Sequence, residues 1–459
     1  MSFTAGIYIG TREVRGILSD DTGIISNQSI IKIKDEPFTE PEPELLWQKV
    51  ASCLTELIPS ATEVAALGIS SVSGAIPIDA DGKALSRVIM GPDNRFAAEV
   101  KLIDKQGEEL TKKLGYRFDS SSTLAGILWL VKEKTEIYRK TRKFVNISDF
   151  IVGKLTGEFS ITDTSNALKA GYDIIDLEWP AVIHKLGLLP DNLPAVVKPG
   201  EPVSSITPSV ANQIGIPGNT KVIAGTTDQL TLLVSSGAIS PGQWNSHIGM
   251  NLEVKGVSSK LIKDKLGRFY SHLHPENSWI VIGESSVGRK SLEEKFPGED
   301  FQEPLRQSSL IVYPLNQQGE KLPFLNPDAQ GFMIGKPRDK QDIYSGYLEG
   351  IGFIEKWIFE LFEECGFEIG DKINTTGLGE NAWLQMRANI LEKVIVKPRA
   401  GSPEMGAAIL AASKTIFRNL SEAVKAMVHI EKFIEPDQES NYLPKYRKFR
   451  QVCRAIGYE

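Results

Sequence analysis

Cysteine is scarce: three thiols, Cys53, Cys365 and Cys453, are spread over 459 residues in no paired spacing. That excludes a zinc cluster and a disulfide framework, and it is the usage of a reducing compartment. Long apolar runs are missing as well. No stretch of about 18 consecutive apolar residues occurs, and the opening MSFTAGIYIGTREVRG lacks a basic segment leading into an apolar one. Neither a membrane span nor a secretory leader is expected, and the chain reads as cytoplasmic with no membrane partner. An excess of positive charge is also absent, since 52 Lys and Arg face 58 Asp and Glu for a formal net charge of -6. Nucleic acid is therefore a poor candidate partner, and a small molecule a better one. The short basic run Lys445 to Arg454 reads as a solvated surface.

What is present is the composition of a soluble, packed protein, with 41% hydrophobic and 24% charged residues. The chain is too long for one core, and at roughly 150 residues per domain two large domains are expected. Ala5 to Gly10 reads as a strand broken at Gly10-Thr11, and Val14 to Leu18 pairs back as a second. After the turn Asp20 to Gly23 comes more β character, then apolar residues at helical spacing between Pro41 and Pro59, then a short buried strand, Ala65 to Ser70. The same grammar returns later. Lys221 to Gly225 is a strand, Asp228 to Ser236 a helix, and Gln243 to Met250 and Asn251 to Gly256 are strands paired across a glycine turn. Tyr344 to Cys365 is a helix, Lys372 to Thr376 a strand, and Ala382 to Leu391 a helix. This predicts two similar α/β domains with mixed sheets, 1–232 and 233–459, and a ligand cleft between them.

Two places carry candidate chemistry. Gly225-Thr226-Thr227-Asp228 lies where a buried strand runs into a helix, which puts the Asp228 carboxylate at a helix N-terminus and at the edge of a sheet. Taken locally, Asp228 also reads as a plain helix cap. The histidines of Ser271-His272-Leu273-His274 invite a hydrolase reading, but no acid or nucleophile pairs with them in sequence, and a strand with structural histidines is expected.

The order of motifs along the chain decides between these readings. Gly10, Thr11 and Arg15 follow the first strand; Leu67 to Ser70 runs to Asp81-Gly82-Lys83; Pro92-Asp93-Asn94-Arg95, SSTLAGILW (121–129) and DTSNALKAG (163–171) follow. Ala224-Gly225-Thr226-Thr227-Asp228 then precedes Gly237-Ala238-Ile239-Ser240-Pro241-Gly242. Further on come Tyr313-Pro314-Leu315, Gly319-Glu320, Pro323-Phe324, Leu348 to Phe353 and Glu404-Met405-Gly406-Ala407-Ala408. In this order and spacing, from about Gly6 to Ala412, the chain resembles the FGGY carbohydrate kinases of the actin, hexokinase and heat-shock ATPase superfamily. The resemblance implies two actin-like, ribonuclease H-like domains, the sugar side in the first and the nucleotide side in the second. It implies ATP-dependent phosphorylation of a small sugar, a pentulose such as ribulose or xylulose or a related polyol, with Asp228 as general base. ATP and Mg²⁺ are the cofactors it implies. Gly10, Thr11, Arg15, Gly249, Asn251, Gly377, Gly379 and Asn381 would meet the nucleotide, and Ser73, Asp93, Arg95 and Asp228 the sugar. No residue is assigned to the metal. Sugar and ATP are then the partners, in a monomer or a homodimer.

The chain also departs from that pattern, chiefly on the nucleotide side. Tyr8 stands where the family's Asp-x-Gly-Thr turn has its aspartate, and a phenol does not carry that charge. Gly249-Met250-Asn251 replaces Gly-Thr-Thr or Gly-Thr-Ser, exchanging a hydroxyl for a thioether. The stretch Thr376-Gly377-Leu378-Gly379-Glu380-Asn381 is about two residues shorter than the family's glycine-rich adenosine loop. Glu284 and Arg289 replace glycines of a further loop, and Gly126 a lysine of the signature helix. On the sugar side the Met-His pair of xylulose kinases is missing. Ser71-Val72-Ser73-Gly74 looks more like cyanobacterial and plant kinases similar to ribulose kinase. The alternative is a pseudokinase that keeps the fold and sugar binding and acts as a sensor or scaffold.

Overall fold

In the computed structural model, residues 2–33, 40–59, 62–298, 305–379 and 381–459 are described. The alternating apolar residues at the N-terminus build a meander. Strand β1 (Phe3–Ile9) pairs antiparallel with β2 (Glu13–Asp20), and β2 with β3 (Ile25–Lys32). Helix α1 (Pro43–Leu57) has proline in its first turn, where a missing N–H costs nothing, and buries Leu46, Val50 and Leu54. It returns the chain to β4 (Val64–Ser71), which lies parallel to β1. The Lys221–Ile223 and Pro202–Ser205 strands extend the sheet beyond β4, and Thr226–Thr227 also pairs with β4.

The second seven-stranded sheet repeats that plan. Its order is Phe269–Leu273, Trp279–Ser285, Leu252–Ser258, Trp244–Ile248, Lys372–Gly377, Val394–Pro398 and Ile430–Ile434. A first strand has an antiparallel hairpin partner on one side and a parallel neighbour on the other, as β1 has β2 and β4. Its core is aromatic: the Trp244 ring stacks on Phe362 at 5.0 Å, with Phe359 and Phe367 edge-on. Within it lies one fully buried ion pair. The guanidinium of Arg387 donates to both Glu355 oxygens at 2.9 and 2.7 Å and to the Thr375 hydroxyl at 2.6 Å. Thr375 in turn donates to the Ser246 carbonyl at 3.1 Å, so the pair reaches both the Trp244–Ile248 and Lys372–Gly377 strands.

By its contacts the chain divides into two units at Ser235/Ser236, but not as two contiguous halves: residues 272–277 and 402–428 belong with the first unit. The helix Pro403–Ala412 explains the second excursion. All ten of its residues are buried, and it lies on β1 and β4 at glycines. A Cβ on Gly6 would stand 1.9 Å from the Glu404 carbonyl oxygen, one on Gly68 2.2 Å from that of Ala407, and one on Gly406 1.8 Å from that of Thr231. Backbone meets backbone at each point, so no side chain can yield. Gly68→Val is therefore expected to destabilise the protein by about 3 kcal/mol, read as a lowered urea midpoint. An unchanged midpoint would show that this helix does not contribute to the stability of the first sheet.

Candidate active site

In the first unit β1, β4 and the Thr226–Thr227 strand run parallel, and Ser71 is in register with both Ile9 and Thr227. The segments that follow, Gly10-Thr11, Val72-Ser73-Gly74 and Asp228, therefore leave the sheet at one carboxyl edge, where open α/β sheets bind ligands. The Val72 N–H donates to the Ile9 carbonyl at 3.1 Å, and Gly10 closes its turn on Glu13 at 3.0 Å. Asp228, partly buried, opens the Asp228–Ser236 helix, so its carboxylate sits in the positive end of the helix dipole. That helix is tied to β4 by the Ser70 and Thr231 hydroxyls, 2.8 Å apart and both buried.

Sequence reasoning missed the neighbour of Ser73. Lys169, at the end of the Thr164–Lys169 helix, donates to the Ser73 hydroxyl at 2.8 Å from 96 residues away. Burial, with the Lys169 charge added, pushes His272 down to about 3, and burial pushes His274 down to about 4. Imidazoles of such low basicity are poor proton acceptors at neutral pH, which agrees with their reading as structural residues.

The turn after β1 is flanked by an aromatic ring. Tyr8 faces Arg15 across the hairpin, the Arg15 guanidinium lies 5.0 Å from the centre of its ring, and the ring leans over Gly10, 3.0 Å from where a Cβ would be. Arg15 is further engaged by Glu404 at 3.5 Å and Glu13 at 3.8 Å, while Thr11 is exposed. A phenol beside a guanidinium is a poor place for a divalent cation. Among the described residues no group of three or more His, Cys, Asp or Glu is placed to hold a metal.

Asp93 and Arg95 are drawn to each other. Asp93 accepts from the Arg95 N–H at 2.8 Å and from its Nε at 2.7 Å, and hydrogen bonding to Arg95 holds the carboxylate below its usual range. Arg95 also pairs with Glu40 and lies 4.8 Å from the Trp129 ring centre.

The nucleotide candidates of the second unit meet on its own sheet edge. The hairpin of Trp244–Ile248 and Leu252–Ser258 turns at Gly249-Met250-Asn251, and Gly377 pairs with Ile248 alongside. Leu378 N–H donates to the Ile248 carbonyl at 2.8 Å. Gly377 has φ +82, and a Cβ there would be 2.4 Å from the same oxygen, so only glycine fits. A third loop closes on these: Arg289 and Lys290 N–H groups donate to the Gly249 and Met250 carbonyls at 2.9 and 3.2 Å. A recess is lined by Gly377, Leu378, Gly379, Gly401 and two cations, Lys397 and Arg399. Those cations lie at and just past the end of the Val394–Pro398 strand, and the apolar run Val394-Ile395-Val396 breaking into Lys397-Pro398-Arg399 is the sequence signal for them. A glycine-bounded, cation-lined recess fits the polar groups of a nucleotide. Two of the expected contact residues have side-chain partners here. The Asn251 amide donates to Glu284, whose carboxyl burial raises, and the Asn381 oxygen accepts from Lys432 at 2.7 Å. Glu380 lies outside the described residues.

A chain built on two mixed α/β sheets of one plan, with a carboxylate at the first edge and glycine loops at the second, matches known proteins closely enough for classification. Residues 3–235 match the N-terminal domain and 284–415 the C-terminal domain of the FGGY family of carbohydrate kinases, and the chain belongs to that family. Among curated proteins it is 26% identical to the xylulose kinase of Bacillus subtilis, over 99% of this chain and 97% of that one. It is 24% identical to the gluconokinase of the same organism, over 93% and 90%. Among solved structures it resembles ligand-bound xylulose kinase from Lactobacillus acidophilus with a TM-score of 0.88, at 21% identity, over 99% of this chain and 98% of that one. The expected fold of two actin-like α/β domains is the fold found. Among the described residues no helix is long and apolar enough to cross a membrane.

Proposed function

We propose that this kinase phosphorylates a small sugar or polyol from ATP, with Asp228 as general base and a pentulose as the first substrate class to test. The observation that carries the reading is the shared edge: Ser73 and Asp228 follow neighbouring parallel strands in register at Ser71, with Lys169 bonded to Ser73. Asp228 takes the proton from the attacking hydroxyl, a role worth about 10²–10⁴-fold in rate. Ser73, with Asp93 and Arg95, orients the sugar. The turns at Gly10-Thr11, Gly249 and Gly377 to Gly379 meet the nucleotide, with the exposed Thr11 hydroxyl as a donor, joined by Lys397 and Arg399 from the recess. ATP would supply the phosphoryl group and magnesium would offset the charge of its phosphates, with no residue of this chain assigned to the metal. On this reading 1–232 forms the sugar side and 233–459 the nucleotide side, with residues 402–428 contributing to the first.

Calorimetry with ATP and Mg²⁺, followed by ADP release over pentuloses, hexuloses, polyols and aldonates, tests this directly. Nucleotide binding with ADP release on at least one pentulose is the expected result. No nucleotide binding at millimolar concentration would sink it. The Tyr8 ring over Gly10 favours the second reading, a pseudokinase; sugar binding without ADP release from any substrate would establish that one instead.

A further inference from the structure

The DTSNALKAG segment touches the residues just before Asp228. Asp163 is fully buried. One of its oxygens caps the Thr164–Lys169 helix by accepting from the Asn166 N–H at 2.8 Å, and the other accepts from the Thr226 hydroxyl at 2.6 Å. The Asn166 amide spans to the Gly225 carbonyl at 3.3 Å and the Ser148 hydroxyl at 3.1 Å. Gly225 packs closely on the same segment, since a Cβ there would lie 2.6 Å from that of Ser148.

These contacts matter because the strand they hold is so short. Thr226–Thr227 has only two residue pairs with β4, Thr226↔Ser70 and Thr227↔Ser71. A two-residue ladder fixes little, so side-chain anchors decide where the next residue, Asp228, points. A carboxylate is suited to this work, since a hydroxyl donating to a charged acceptor makes a stronger and more directional bond than one donating to an amide. Burial raises the Asp163 carboxyl to about 6, so near neutral pH it is still chiefly the charged acceptor.

We propose that Asp163 is a positioning residue for Asp228, acting through the Thr226 hydroxyl. The inference rests on Asp228 being the base. Asp163 itself meets neither sugar nor nucleotide, so its loss misdirects the base without removing a binding contact.

The test compares Asp163→Asn, Thr226→Val, Thr226→Ser and the double variant Asp163→Asn/Thr226→Val, with kcat and KM measured well below each melting temperature. Asp163→Asn and Thr226→Val are each expected to lower kcat by about 10–100-fold, the scale of a misplacement near 1 Å. KM for the sugar is expected to stay within about threefold, and the double variant to be no slower than the worse single one. Thr226→Ser, which keeps the hydroxyl, is expected to recover most of the rate. A purely structural role would lower the melting temperature and leave kcat of the folded fraction intact, and that result overturns the proposal. So does a double variant whose loss is the product of the two single losses. Should Asp163→Asn fail to fold, the Thr226 pair decides alone: Thr226→Val as fast as Thr226→Ser overturns it. A parent protein without turnover on any sugar defeats the reading of Asp228 and this inference with it, whereas an active parent with undiminished variants defeats this inference only.

Discussion

Asp228→Asn is expected to lower kcat by about 10³-fold, roughly 4 kcal/mol of transition-state stabilisation, while sugar affinity stays nearly unchanged. The amide keeps the size of the carboxylate, so the helix start and the short Thr226–Thr227 strand should hold their geometry. What disappears is the capacity to take a proton from the hydroxyl as phosphorus is attacked. That loss falls in the transition state, and so appears in kcat and kcat/KM together rather than in KM. ADP release in single-turnover and steady-state assays, with calorimetry of sugar binding to the same protein, separates the two quantities. Turnover at the parent rate would refute the role of Asp228. A large fall in sugar affinity with kcat retained would make it a binding residue only.

The second large effect is expected far from any substrate. Arg387→Met should destabilise the second unit by about 3–5 kcal/mol, because Glu355 would remain as a buried charge without its partner. Both side chains are fully buried in the parent, so solvent has no access with which to soften the loss. Replacing both, as Arg387→Met with Glu355→Leu, should return most of the stability, since two apolar groups of similar volume leave no stranded charge. Urea unfolding of the three proteins checks this, and an Arg387→Met protein as stable as the parent would contradict it. The pair also reaches function. Through Thr375 and the Ser246 carbonyl it braces the two strands that end at Gly249 and Gly377, so the single variant should bind ATP more weakly even where it remains folded.

Much of this architecture was legible in the order of residues. The helix Asp228–Ser236 and the hairpin turning at Gly249 follow from local punctuation: a strand of β-branched residues, an acid at a helix start, a glycine where the chain reverses. The edge that gathers Gly10, Ser73 and Asp228 follows once those strands are set parallel. The partners of these residues were harder to see. Thr226 meets Asp163 across 63 positions, and Lys169 meets Ser73 across 96. Such pairs depend on the register of the sheet and on where a helix lands, which no periodicity within one segment encodes. Arg15 shows the opposite case. Its position in a phosphate-turn motif was plain, but the neighbouring Tyr8 offers a π-face and Glu404 a charge, and both hold it.

The helix Pro403–Ala412 belongs to the first unit while lying near the end of the chain. During synthesis the first sheet must therefore wait. When the ribosome has delivered every strand of that sheet, Gly6 and Gly68 still lack the helix backbone that covers them, and more than 150 further residues must emerge before it arrives. The first unit therefore completes its core only once most of the second has been synthesised.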